Sequence, residues 1–262
     1  MTMTRFFAVP AILAAALTTS ARADLADYYI GRDIGATAGT NSGHLTLLLN
    51  HGNHFHRLGV YGGATGQIPE ASANGTLQLS PGAGIFDGRL ISTPFDDGSS
   101  ASEYSRLEVR SFNELLGQPA GSTTQILADS SAGRYQGSLA GIRVGYELVS
   151  ISDGLSVLDE RGNTLLANVG DQYSLGFADS FSPFNPIFAT DSLISAGLVL
   201  SATFRLVDLD SANPEATASG NFTYNFTTVS AAVPEPSTLV MSGLGLAGLV
   251  LAGRRSGIRR IV

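Results

Sequence analysis

The strongest constraint on the fold is a rhythm of short apolar or alternating runs interrupted by turn residues such as Asp97-Gly98, Asp153-Gly154 and Arg161-Gly162-Asn163. Such runs are too short and too often broken for helices, and no stretch after residue 24 sustains the spacing of a long amphipathic helix. The pattern predicts strands over Leu25–Ile30, Leu45–Leu49, Phe55–Tyr61, Thr76–Leu79, Arg89–Ile91, Tyr104–Phe112, Thr124–Leu127, Ile142–Ile151, Leu155–Leu158, Tyr173–Phe177, Leu193–Val207 (with room for a break) and Gly220–Val229. Asn113–Leu116 is the one expected helical turn. Composition agrees: there are 31 glycines, and charged residues make up only 14% of the chain. The expected fold is all-β, a single antiparallel β-sandwich or jelly-roll-like domain over 24–229.

Both ends carry addresses. Arg5, the apolar stretch Phe6–Leu17 and the small-x-small site Ala21-Arg22-Ala23 predict a secretory signal peptide over residues 1–23. At the other end, a linker over 230–237 contains Val233, Pro234, Glu235 and Pro236. An apolar run over 238–253 follows, with the length of a short membrane helix, and then a basic tail over 254–262 with Arg254, Arg255, Arg259 and Arg260. Its arginine flank keeps the tail cytoplasmic and places the domain outside. These three parts, in this order, resemble the PEP-CTERM sorting signal of Gram-negative bacteria. The resemblance implies secretion across the inner membrane, transient anchoring by a transmembrane helix and processing by an exosortase. Delivery to the cell surface or extracellular matrix would follow. Gly243, Gly245 and Gly248 formally match a dinucleotide fingerprint, but no βαβ unit follows them, so the match carries no cofactor.

Chemistry concentrates in one place. All four histidines, His44, His51, His54 and His56, fall within GHLTLLLNHGNHFHRLG at Gly43–Gly59. Short histidine-rich tracts point to metal, and neutral imidazole suits zinc as well as other divalent transition metals. The segment over 43–60 reads as a hairpin in which His54 and His56, two apart on a strand, share a side while His51 folds over from the turn. A turn centred on His51-Gly52 pairs His54 with Leu49 and His56 with Leu47. It sets His44 opposite Gly59. Asn50 and Asn53 read as turn formers rather than ligands. This segment is similar to that of a small family of zinc-regulated PEP-CTERM proteins with a histidine-rich stretch near the mature N-terminus. That resemblance implies capture, buffering or storage of zinc outside the cytoplasm, and no reaction.

Other functions find less support. The chain has no cysteine, which excludes disulfides, thiolate metal sites and cysteine nucleophiles. Of the 22 acidic residues all but Glu235 lie between Asp24 and Val233, against nine arginines there, so the domain lacks the basic footprint of a nucleic-acid binder. Glu103, Glu108, Glu114 and Glu147 form no catalytic motif with the histidines, and neither H-E-x-x-H nor G-x-S-x-G occurs. Asp208, Asp210 and Asn213 miss the spacing of a calcium loop. The expectation is therefore a non-enzymatic, exported metal-binding protein. The alternative is a structural or adhesive matrix protein whose histidines are incidental.

Overall fold

The structure is a computed structural model and describes residues 28–35, 41–68, 77–92 and 107–228. The expected signal peptide, the linker, apolar run and basic tail, and the turn at Asp97-Gly98 lie outside the described residues. So does Glu103.

The described residues form fourteen strands in two sheets. The smaller has the order β3-β2-β1-β7, built from β1 (Tyr28–Arg32), β2 (Leu45–Asn50), β3 (Phe55–Leu58) and β7 (Val109–Ser111). The larger contains β5 (Leu77–Pro81), β6 (Leu90–Ile91), β8 (Arg143–Ile151), β9 (Leu155–Leu158), β10 (Thr164–Leu166), β11 (Gln172–Phe177), β12 (Ile187–Thr190), β13 (Val199–Asp208) and β14 (Phe222–Thr228). Its order is β10-β9-β12-β6-β5-β14-β13-β8-β11, with β4 (Gly66–Ile68) paired to β14. The end strands β10 and β11 approach each other, so the sheet curls into a near-barrel. Bulges between Ser174 and Gly176 in β11, and in β8 opposite Thr203 and Phe204, supply local bending.

This corrects two expectations. The sheets are mixed rather than antiparallel throughout, because β1 runs parallel to β7 and β14 runs parallel to both β4 and β5. A curled sheet with a small sheet packed on it also replaces the sandwich or jelly roll. Thr124–Leu127 lies in a helix, α1 (Thr123–Asp129), not a strand. The hydroxyl of Ser122 caps it by accepting from the Gln125 amide at 3.1 Å, and the Gln125 side chain accepts in turn from the Gly121 amide at 3.0 Å. These two bonds at the helix start outweigh the β-branched Thr-Thr pair. The expected helical turn at Asn113–Leu116 is a 3-10 turn over Phe112–Leu115.

One apolar core joins both sheets. Along β13 burial alternates, with Leu200, Ala202, Phe204 and Leu206 inward, and Phe222, Tyr224 and Phe226 of β14 face the same interior. The aromatic rings interlock: Phe204 meets Tyr224 edge-on at 5.7 Å, Phe188 lies 4.6 Å from Phe226, and Tyr28 of the small sheet reaches Tyr224 at 6.2 Å. Such pairs add about 0.5–1.5 kcal/mol each beyond the area they bury. The Tyr146 and Tyr224 hydroxyls pair at 3.3 Å, and their burial pushes both phenols upward and keeps them neutral. β2 is buried along its whole length because its second face is also covered, with Phe55 contacting Tyr29, Phe112 and Tyr135.

Candidate metal centre

The histidine hairpin is β2 and β3. Its pairs are Leu47↔Leu58, Leu48↔Arg57, Leu49↔His56 and Asn50↔Phe55. The turn is therefore Gly52-Asn53, one residue later than expected, and each partner moves by two. His56 faces Leu49 rather than Leu47, and His54 lies opposite His51. The His51 amide donates to the His54 carbonyl at 2.9 Å and closes the turn. Gly52 takes φ +83°, which a two-residue turn with glycine first requires. The Asn50 carboxamide accepts the Gly52 amide at 2.7 Å, a local bond that favours the bend.

Because a shift of two preserves side-chain parity, the imidazoles still converge. One ring nitrogen from each of His51, His54 and His56 lies within 4.8 Å of the others. The Nε2 atoms of His54 and His56 are 3.0 Å apart. The His51 ring centroid is 5.4 Å from that of His54 and 4.5 Å from that of His56. Ligand atoms around a tetrahedral zinc with bonds of about 2.0–2.1 Å sit about 3.3 Å apart, so small side-chain rotations bring these nitrogens to that spacing. Asn53 Oδ1 lies 2.7 Å from His54 Nδ1, which favours the tautomer with that proton on Nδ1 and leaves Nε2 as an acceptor. His54 and His56 are exposed and His51 half-buried, so an ion there stays open to solvent. Partial desolvation, then repulsion from His51 and His54, lowers the pKa of His56 and favours the neutral, ligating form.

His44 is not in this group. It precedes β2, seven residues from His51, which at strand rise is about 20 Å from the tip. It sits at the hairpin base, stacked on Tyr61 with centroids 3.7 Å apart and planes 11° from parallel. Its Nδ1 donates to the Ala218 carbonyl at 2.7 Å. The same base is bound by the Leu45 amide to the Thr217 carbonyl at 2.8 Å and the Gly220 amide to the Gly59 carbonyl at 2.8 Å. These bonds fix the root of the hairpin to the β13–β14 connection.

A group that sequence reasoning missed stands beside the root. Buried Asp33 accepts from Arg57 at 3.2 Å, Arg134 at 3.1 Å and the Gly35 amide at 2.8 Å. Nothing local signals it, since Arg134 is 101 residues away. Glu108 pairs with Arg110, and Glu147 binds Arg205 at 2.9 Å. Arg110 also meets Glu114 at 3.7 Å. Asp208 accepts amides of Arg143 and Asp210, while Asp210 pairs with Arg143 at 2.8 Å; this acidic turn is held by protein groups.

The domain is thus a near-barrel bearing three imidazoles at one hairpin tip. Residues 232–256 match the PEP-CTERM protein-sorting motif, which contains Val233, Pro234, Glu235, Pro236, Arg254 and Arg255. The motif marks an exported protein processed by an exosortase, with a transient membrane anchor, in a Gram-negative bacterium. No curated protein matches the chain. No solved structure matches it either. Among the described residues no helix is long and apolar enough to cross a membrane.

Proposed function

We propose that the exported domain captures or buffers a divalent transition metal, zinc first, through His51, His54 and His56, and that it does so at the cell surface or in the extracellular matrix. The observation that carries this reading is the convergence of three imidazole nitrogens within 4.8 Å on a hairpin whose root is held by backbone hydrogen bonds. The donor set fits: three neutral nitrogens and no thiolate suit zinc, copper or nickel better than calcium or magnesium. Resemblance of the Gly43–Gly59 segment to that of the zinc-regulated PEP-CTERM proteins favours zinc among these.

Zinc would supply Lewis acidity if a water completed its coordination. Catalysis also needs a positioned base, and the convergent group consists of histidines alone. We therefore read the site as a binding site and not an active site. Three protein ligands and an exposed position suit exchange of the ion with an outside acceptor. His44 belongs to the scaffold in this reading. Imidazole resonances followed by NMR test the assignment. Zinc at one equivalent is expected to shift His51, His54 and His56 and leave His44 in place. Shifts spread over all four, or over none, contradict the proposed ligand set; none at all favours the structural or adhesive alternative.

A further inference from the structure

The loop before β13, with the first residue of that strand, presents an exposed apolar surface beside the last described residue, Thr228. Leu193, Leu198 and Val199 are 54%, 45% and 71% exposed, and no charge occurs from Ser192 to Phe204. Thr228, the last described residue, holds this loop from both sides. Its amide donates to the Leu198 carbonyl at 3.0 Å, and its carbonyl accepts the Gly197 amide at 2.9 Å. Its hydroxyl donates to the Ser195 carbonyl at 2.7 Å and accepts from the Leu198 amide at 3.0 Å. The apolar loop and Thr228 are therefore bound into one feature.

The matched sorting motif begins at residue 232, four residues beyond Thr228, and the apolar run begins at 238. Ten residues span at most about 35 Å when fully extended, whereas a domain of about 200 residues is about 40 Å across. With the apolar run as an anchor, Thr228 and the loop bound to it stay within about 35 Å of the bilayer, less than the width of the domain. Exposed Asp153 and Asp191 flank the loop through the Asp191 amide bond to the Gly154 carbonyl at 2.9 Å, so attraction to anionic lipid is not the driving force. Burial of apolar side chains among headgroups of no net charge is.

We propose that the 192–199 loop is a membrane-resting surface, with Leu193, Leu198 and Val199 seated in the headgroup region of a zwitterionic bilayer while the sorting tail anchors the chain. This rests on the reading of residues 232–256 as an anchor. Release of the tail would free the loop, so the contact belongs to the precursor only.

Because the chain has no cysteine, one introduced thiol reports one position. The full-length precursor, reconstituted in phosphatidylcholine–phosphatidylethanolamine vesicles, is labelled with an environment-sensitive dye at Leu198→Cys or, as the far-end control, at Asn213→Cys. Flotation with the vesicles reads the anchor, and quenching by nitroxide-labelled lipid reads the loop. The expected result is flotation of both proteins, with a blue shift and at least threefold stronger quenching at 198 than at 213. A dye at Ser195→Cys should lose that quenching when Leu193, Leu198 and Val199 are changed to Asn. Flotation with equal quenching at 198 and 213 overturns the membrane-resting loop and leaves the anchor standing. Failure to float removes the anchor and the proposal with it. A dye at 198 that is shielded yet beyond the reach of the lipid quencher shows protein over the loop, and also overturns the proposal.

Discussion

At the scale of single residues, the histidines divide by their partners. His54 leans on Asn53 at 2.7 Å, an outer-shell contact of the kind that orients a ligating ring. Asn53→Ala is expected to weaken zinc binding by about tenfold, the low end for such contacts because the site is open. Titration calorimetry measures this, and unchanged affinity would remove Asn53 from the site. Protons compete with the metal for the same nitrogens, so affinity should fall as the pH is lowered. His56 sets the sign of the accompanying stability effect. Its folded pKa is lowered, so the unfolded chain takes up the proton first; stability is retained above the unfolded value and declines as pH falls through it. Asp33 has a different role. Its buried carboxylate accepts from two arginines and a backbone amide, and Asp33→Ala should cost about 2 kcal/mol in denaturant unfolding. A loss under about 0.5 kcal/mol would show that the two half-exposed arginines contribute only as surface charges do.

At the scale of elements, the hairpin root is the critical joint. A Cβ at Gly220 would stand 2.1 Å from the Val60 carbonyl, and one at Gly59 would stand 2.7 Å from the Gly220 carbonyl. Gly220→Ala must therefore push β3 off the β13–β14 connection. A cost of more than about 2 kcal/mol is expected from the clash, read by thermal unfolding, together with loss of the ordered tip. The strands legible in the sequence were those with a sustained apolar pattern or a turn signal at one end, such as Asp153-Gly154 before β9. β9 falls on Leu155–Leu158 as expected, and β8, β11 and β14 differ from expectation by one or two residues at their ends. Short strands such as β4 and β10 escaped because three residues hold no period. β12 escaped because four buried residues follow a loop rich in proline and phenylalanine, which reads as irregular. Leu193–Val207 read as a strand with room for a break, and the break falls at Ser195–Leu198, which is bound to Thr228, so that β13 begins only at Val199. Parallel pairing of β14 with β4 and β5 is set by contacts more than 140 residues apart, beyond any local signal. The tip was legible for a simple reason: Gly52-Asn53 carries its own turn chemistry, and an error of one residue in its centre preserves which side the histidines take.

At the scale of the molecule, export and binding are separable. The sorting motif occupies the last part of the chain and accounts for delivery, while the aromatic core and the root of the hairpin account for a domain stiff enough to present three imidazoles in solution. Phe204→Ala should cost about 3–5 kcal/mol by emptying the centre of that core; near-normal stability would mean that Tyr146, Phe188 and Tyr224 collapse into the space. Zinc that binds only the folded tip must also raise the melting temperature, by about 2.7 kcal/mol of stability at a hundredfold excess over Kd. The most direct test is calorimetric titration of the exported protein with Zn²⁺ beside the His51/His54/His56→Ala variant. One zinc per chain, bound by the native protein and lost in a variant that remains folded, is the predicted result. Equal binding by both proteins, or none by either, would contradict a metal centre at the hairpin tip.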